Sequence, residues 1–202
     1  MPNPSRFRLG LLGGTFDPPH MGHLAAALEV RDTMGLDRID FLVANDPWQK
    51  SSDRVVSPAA VRLEMVRAMV EGRDGLGVDD REIRRGGLTY TVDTLEDLAK
   101  EQPETDVFLI VGQDTANRIS TWHRYEEVLA LSTLVIVNRA DNVAQHSEML
   151  SGARVQNVSM PTVDVSSTRV RASVAAGEDM IGLTTDAVAA VIRHHGLYGA
   201  SA

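Results

Sequence analysis

The chain has 202 residues, a length suited to one domain, with 43% apolar residues to build a core and 24% charged residues. A formal net charge of −8 argues against a protein that works by nonspecific contact with nucleic acid polymers, and no apolar run approaches the roughly 20 residues of a membrane span. Cysteine is absent, which excludes disulfides and thiolate metal sites and fits a cytoplasmic protein, and Met1 to Arg8 lacks the apolar stretch and cleavage site of a secretory leader.

In chain order, Phe7 to Leu12 reads as a buried strand ended by Gly13-Gly14. A helix runs from His20 or Met21 to Met34, with Leu24, Leu28 and Arg31 at helical spacing and Gly35 as its stop. Ile39 to Val43 is a second strand, followed by a loop from Ala44 to Ser57. Ser57-Pro58 provides a cap and a first-turn proline for a helix reaching Val70. Leu76 to Ile83 is a third strand candidate and Gly86-Gly87 a turn. Tyr90 to Lys100 is helical, with Val92, Leu95, Leu98 and Ala99 on one face. Val107 to Val111 is an apolar strand ending in Gly112, and helical patterns cover Asp114 to Ile119 and Tyr125 to Leu131. Leu134 to Val137 and Val155 to Val158 are strands, with a weak helix around Ser147 to Leu150 between them. Ser167 to Ala176 and Thr185 to His194 close the chain as helices stopped by Gly177 and Gly196. Strands alternating with helices predict an α/β, Rossmann-like, doubly wound and mostly parallel sheet with helices on both faces. The reading is a single domain, 1–202, whose part from about 160 to 202 is helical.

Two segments carry chemistry. The first is Gly13-Gly14-Thr15-Phe16-Asp17-Pro18-Pro19-His20-Met21-Gly22-His23 after the first strand. Glycines there let the backbone approach a ligand closely, and the prolines stiffen the turn. His20 and His23, three apart at a helix start, share one face beside free backbone N–H groups, an arrangement that suits a phosphate bearing developing charge. A proline-rich turn with incidental histidines, or a His-x-x-His metal pair, is the competing reading. No Gly-x-x-x-x-Gly-Lys-Ser/Thr occurs, and no Gly-x-Gly-x-x-Gly follows the first strand, which disfavours a P-loop kinase and a hydride-transfer enzyme. The second segment is Asp164-Val165-Ser166-Ser167-Thr168-Arg169-Val170-Arg171, where Ser166 or Ser167 can cap a helix and Arg171 can grip phosphate oxygens. Plain capping with exposed arginines explains this segment equally well on its own.

The first segment resembles the signature of the HxGH nucleotidyltransferase superfamily, a (T/G)GTFDPxHxGH-type sequence. The second is similar to that superfamily's I-S-S-T-x-I-R, with valine at both isoleucine positions. The resemblance extends over nearly the whole chain and is closest to bacterial nicotinate-nucleotide adenylyltransferase. Gly86 to Leu95 looks like that family's G-x-(S/T)-Y-T-x-x-T-L, so Thr91 would hold the nicotinate end, with a helix N-cap as its other reading. Gly112 and Asp114 match its G-x-D beside the nucleotides, and Trp122 its nicotinate-stacking tryptophan, where a core aromatic is the alternative. Pro47-Trp48-Gln49-Lys50 stands where the family has Pro-Pro-His-Lys or Pro-Pro-His-Arg. Lys50 keeps the cation for the mononucleotide, Trp48 adds an aromatic, and Gln49 departs from the pattern. Arg139 matches a family arginine, though Ala140-Asp141 replaces the usual Pro-Gly, and His123 stands where relatives carry tyrosine.

What the resemblance implies is transfer of AMP from ATP to nicotinate mononucleotide, giving nicotinate adenine dinucleotide and pyrophosphate in NAD biosynthesis. His20, His23 and Arg171 would be catalytic. Gly13, Gly14, Thr15, Phe16, Gly112, Asp114, Ser167 and Thr168 would bind ATP. Lys50, Thr91, Trp122, Arg139 and Trp48 would bind the mononucleotide. Mg²⁺ would ride on the ATP phosphates, with no protein metal ligand expected. A nicotinamide mononucleotide or phosphopantetheine acceptor, and a nucleotide-binding regulator without turnover, are the alternatives. The sequence leaves a homo-oligomer open.

Overall fold

A computed structural model describes residues 6–46, 56–139, 150 and 152–199. Among them, strands β1 (Phe7–Gly14), β2 (Arg38–Val43), β3 (Leu76–Asp79), β4 (Thr105–Gly112), β5 (Thr133–Arg139) and β6 (Val155–Met160) form one sheet in the order β3-β2-β1-β4-β5-β6. β1, β4, β5 and β6 pair in parallel. This is the Rossmann-like arrangement the alternating pattern predicts. The order reverses between β1 and β4, so the carboxyl ends of these strands, where Gly13 and Gly112 stand, are where such a sheet receives a ligand.

The chain divides into two interleaved compact units. The first comprises Met1–Gly13, Leu28–Asp40 and Tyr90–Thr162. Its core is one cluster in which Leu9 and Leu11 of β1, Leu109 and Val111 of β4, and Leu134 and Ile136 of β5 meet helix α4 (Thr91–Glu101) and helix α6 (Tyr125–Leu131). Parallel register aligns Leu9 with Val107 and Leu11 with Leu109, so like faces of neighbouring strands add to one apolar surface. Gly10 faces the other way, where a Cβ would lie 2.8 Å from Ile39 Cγ1 and 3.0 Å from Leu36 Cδ1. On α4 the buried residues are Val92, Thr94, Leu95 and Leu98, whereas Ala99 is exposed. The stripe follows i, i+3 steps, and the wider face expected from the sequence is narrower here. The helical pattern from Asp114 splits into α5 (Gln113–Ala116) and a 3₁₀ turn at Ile119–Thr121.

The second unit comprises Gly14–Ala27, Phe41–Thr89 and Val163–Ala202. Helix α2 (Ala59–Val70) buries Leu63, Met65, Val66, Met69 and Val70 and packs against β3 and helix α8 (Asp186–His194), whose Val188, Ala189 and Ile192 are buried. Pro58 itself takes the flanking position of α2, at ψ 141°, with no side-chain cap, so the expected Ser57 cap does not form. The strand expected to reach Ile83 stops at Asp79. Its carboxylate accepts the Arg81 N–H at 2.9 Å and the Arg81 Nε at 2.6 Å, which turns the chain into a short helix, α3 (Arg81–Arg85). Helix α7 (Ser167–Ala175) precedes α8, and Ser166 and Thr185 cap the two. Helix α1 (Met21–Met34), which the division cuts, buries Leu24, Ala27 and Val30 rather than Leu24, Leu28 and Arg31. The expected helix at 147–150 falls almost wholly outside the described residues.

Candidate active site

The chain leaves β1 through a turn with little conformational freedom. Phe16 adopts a left-handed backbone, φ 52°, and the Asp17–Pro18 peptide bond is cis. The Phe16 ring lies under Gly14, where an added Cβ would stand 2.8 Å from the ring. The ring is buried edge-on to His23, with centroids 5.0 Å apart, and 5.6 Å from Phe41. Gly14 is glycine because the ring occupies the place of its side chain.

Five carbonyls of this turn find donors from elsewhere in the chain. Gly14 accepts from the Ala44 N–H at 3.0 Å. Thr15 accepts from Arg62 Nη1 at 2.8 Å and Asp17 from Arg171 Nη1 at 2.8 Å. Pro18 accepts from Ser167 Oγ and Pro19 from Thr184 Oγ1, each at 2.9 Å. Buried carbonyls without partners are costly, and two prolines deprive the turn of N–H groups, so side chains from elsewhere supply the bonds. The expected convergence of the two phosphate-type segments is thus direct: Ser167 and Arg171 bond to the backbone of the histidine turn.

His20 and His23 stack with centroids 3.6 Å apart and an interplanar angle of 27°. Gly22 lies over them, where a Cβ would come 3.1 Å from the His20 ring and 3.3 Å from Val165 Cγ1. The His20 N–H donates to His23 Nδ1 at 3.2 Å, so the neutral His23 ring carries its proton on Nε2. Burial lowers the pKa of His20 from 6.5 to about 4, and its buried Nδ1 has no hydrogen-bond partner. At neutral pH the pair is therefore a stack whose His20 is uncharged, backed by an apolar ring.

At the start of α7, Ser166 Oγ accepts from the Arg169 N–H at 3.2 Å, which leaves the N–H groups of Ser167 and Thr168 as the helix's unpaired first donors. Ser167 has already given its hydroxyl proton to Pro18. Thr168 Oγ1 accepts from Arg171 Nη2 at 3.1 Å, so its O–H stays available as a donor. A phosphate here would meet backbone N–H groups, one hydroxyl and a guanidinium. Arg169 is exposed and pairs with Asp164 at 2.6 Å.

The other expected residues belong to the first unit. Gly13 and Gly112 both leave open space where a Cβ would be. Asp114 is exposed on α5. Thr91 is the first residue of α4, with Tyr90 at the flanking position, so Thr91 is not an N-cap. Trp122 is partly buried against the core cluster, and the rings of Tyr90 and His123 lie 4.5 Å apart. Arg139 ends β5. Trp48 and Lys50 lie outside the described residues.

Three residues that the sequence does not single out shape the turn. Arg62, 1% exposed, donates to four carbonyls, those of Thr15, Ala44, Asn45 and Ser57, at 2.7 to 2.9 Å. Asp17, also 1% exposed, takes the Tyr198 hydroxyl on Oδ1 and the Ser57 N–H on Oδ2. Thr184 is the third. Asp17 stands inside the signature after β1 without a role of its own there, and Arg62 left the signal of an arginine at the i+3 and i+4 spacing of the apolar face of α2.

Comparison with known proteins fits this site. A cytidylyltransferase-like family model matches residues 11–173, from within β1 through most of α7. A Dehalococcoides mccartyi protein named probable nicotinate-nucleotide adenylyltransferase is 42% identical over 95% of this chain and 97% of its own length. The chain belongs to the nicotinate-nucleotide adenylyltransferase family. A Corynebacterium kroppenstedtii member of the same name is 40% identical over 95% of this chain and 90% of its own. The fold matches that of Plasmodium falciparum nicotinic acid mononucleotide adenylyltransferase complexed with NaAD, at TM-score 0.80 and 16% identity over 96% of this chain and 98% of that one.

In this family member, Gly14→Ala should displace the Phe16 ring and with it His23, lowering turnover roughly tenfold to a hundredfold. Gly13→Ala meets open space and should fold with unchanged melting temperature. Wild-type melting and kinetics for Gly14→Ala would show that the ring is not a fixed floor. The depressed pKa of His20 has a second consequence. Below pH 6.5 the unfolded histidine takes a proton that the folded one refuses until about pH 4, so this site's contribution to stability is full above 6.5 and fades as pH falls through that window. The loss across that window is on the order of 3 kcal/mol. Urea unfolding of His20→Asn between pH 7 and 4 should show a shallower loss than wild type, and parallel curves would refute the assignment.

Proposed function

We infer that this chain transfers AMP from ATP to nicotinate mononucleotide, forming nicotinate adenine dinucleotide and releasing pyrophosphate. The observation that carries the reading is the pair of bonds from Ser167 to the Pro18 carbonyl and from Arg171 to the Asp17 carbonyl, which brings both phosphate-type segments to one place. The names of the family members point to the same reaction.

In this reading a phosphate oxygen of the mononucleotide attacks the α-phosphorus of ATP. A new P–O bond forms as the bond to the α,β-bridging oxygen breaks, and pyrophosphate leaves with the bonding pair. No protein nucleophile takes part, so catalysis is positioning and charge stabilisation. His23 offers Nε2–H to the α-phosphate, where charge grows in the transition state. His20 faces the attacking or bridging phosphate, and its neutral ring adds no charge that would trap the ground state. The N–H groups of Ser167 and Thr168, the Thr168 hydroxyl and Arg171 hold the departing pyrophosphate. Gly13, Gly14, Thr15 and Phe16 form the floor.

Two imidazoles, hydroxyls, N–H groups and a guanidinium make a donor set for phosphate oxygens. Mg²⁺ would accompany the triphosphate, neutralising its charge while keeping several waters. Gly112 and Asp114 would lie by the nucleotides, Thr91 and Trp122 would hold the nicotinate end, and Lys50, Arg139 and Trp48 would serve the mononucleotide. The whole chain, in this reading, acts as one nucleotidyltransferase domain.

Pyrophosphate release measured with ATP and, in turn, nicotinate mononucleotide, nicotinamide mononucleotide and phosphopantetheine should give the highest kcat/KM with the first. A preference for either of the others would overturn the acceptor assignment. His23→Ala should lower kcat by about 10²-fold or more, since its bond strengthens only in the transition state. Lys50→Ala should mainly raise KM for the mononucleotide, and an effect on ATP alone would show the cation to be misassigned.

A further inference from the structure

The buried carboxylate of Asp17 has no part in the transfer just described, yet it sits in the middle of the histidine turn. Its Oδ1 accepts the Tyr198 hydroxyl at 2.5 Å, and its Oδ2 accepts the Ser57 N–H at 3.4 Å. Tyr198 comes from the last described turn of the chain, Leu197–Gly199, and holds a left-handed backbone, φ 57°, that an ordinary residue adopts only under constraint. Its oxygen also lies 3.4 Å from Ser57 Oγ, and the Ser57 carbonyl is one of the four acceptors of Arg62. Burial, then the bond to Asp17, pushes the Tyr198 hydroxyl well above its ordinary range, so it remains a donor at any pH at which the protein works. The same Asp17 residue offers its carbonyl to Arg171 Nη1. One residue is thus gripped on its side chain by Tyr198 and on its backbone by the arginine assigned to the leaving group.

We propose that Tyr198 is a positioning residue for the reaction, holding Asp17 so that Arg171 meets the departing pyrophosphate. The proposal rests on the transfer reaction inferred above. Phosphoryl transfer gains its rate from placement, and a small displacement of a phosphate-binding guanidinium is felt chiefly by the phosphates it holds. The packing of the Tyr198 ring alone would stabilise the fold without favouring one substrate, so the two roles separate in kinetics.

Tyr198→Phe keeps the ring and removes only the hydroxyl. At a temperature where circular dichroism shows the variant folded, kcat/KM for ATP should fall about tenfold or more, the loss expected when a hydrogen bond to a charged group is removed. In the reverse reaction KM for pyrophosphate should rise, while KM for nicotinate mononucleotide stays within about twofold of wild type. Equal losses for both substrates, or a lower melting temperature with wild-type kinetics, would overturn the proposal. Asp17→Asn and the double variant complete a cycle: if Tyr198 acts through Asp17, the second substitution adds little to the first, and additive effects count against it. Should the wild-type protein release no pyrophosphate with any acceptor, the reaction itself fails. Calorimetric binding of inorganic pyrophosphate to wild type and Tyr198→Phe then decides the positioning role alone, weaker binding supporting it and equal binding overturning it.

Discussion

The second unit is organised around the need to give hydrogen bonds to the carbonyls of one short turn. From Gly14 to Pro19 the chain reverses direction with two prolines and a left-handed phenylalanine, and it cannot satisfy these carbonyls from its own N–H groups. Arg62 from α2, Ser167 and Arg171 from α7, and Thr184 ahead of α8 supply the donors. Each donor belongs to an element distant in sequence. The turn therefore acquires its shape only when α2, α7 and the approach to α8 are packed, and the histidine pair it carries is fixed as a consequence of folding. Two of the bonds come from guanidinium groups, which remain charged at every pH of interest.

This explains how an acidic protein can hold a polyanion. The net charge of −8 describes the whole surface, whereas binding depends on what converges at one point. Around the turn stand Arg171, the first N–H groups of α7 and an imidazole whose tautomer is set by a backbone donor. The buried carboxylate of the turn, Asp17, faces Tyr198 and Ser57, so its oxygens are spent on donors. His20 stays neutral through burial rather than through pairing, and a neutral ring leaves the local charge to the groups that can be placed most exactly.

How much of this the sequence discloses depends on the range of the interactions. The inner strands are legible because they are near-continuous apolar runs, as in Leu109 to Val111 or Leu134 to Ile136, whereas the edge strand β6 buries only Val158. Asp79 hides the end of β3, since a strand-like run continues past it and only the geometry of its side-chain bonds reveals the turn. The stripe of α1 is misplaced by one position, since Ala27 and Val30 are buried with Leu24 while Leu28 and Arg31 are only partly so. At the candidate site, the two glycines, the histidines and the Ser-Thr-x-x-Arg segment are local patterns and can be read directly. Thr184 and Tyr198 act over 165 and 181 residues of chain, beyond the reach of a local pattern, whereas Arg62 acts over 47 and shows locally only as an arginine on the apolar face of α2.

The same division bears on the places where this chain departs from its family. Gln49 and Ala140-Asp141 lie outside the described residues, whereas His123 stands in the first unit with its ring 4.5 Å from that of Tyr90. The residues that bond within the turn, from Gly14 to Pro19 and from Ser167 to Arg171, are unchanged or conservatively replaced. A residue inside the clamp has several partners, so altering it strands a buried carbonyl or a buried carboxylate, a cost of about 1–3 kcal/mol before any effect on chemistry. Residues that touch only an acceptor carry no such linked cost. On the proposed assignment, a substitution costs more where the triphosphate would be held than where only the acceptor would be touched. The physical consequence is a turn whose shape is fixed by folding, because each donor that holds it also belongs to a packed element of the second unit.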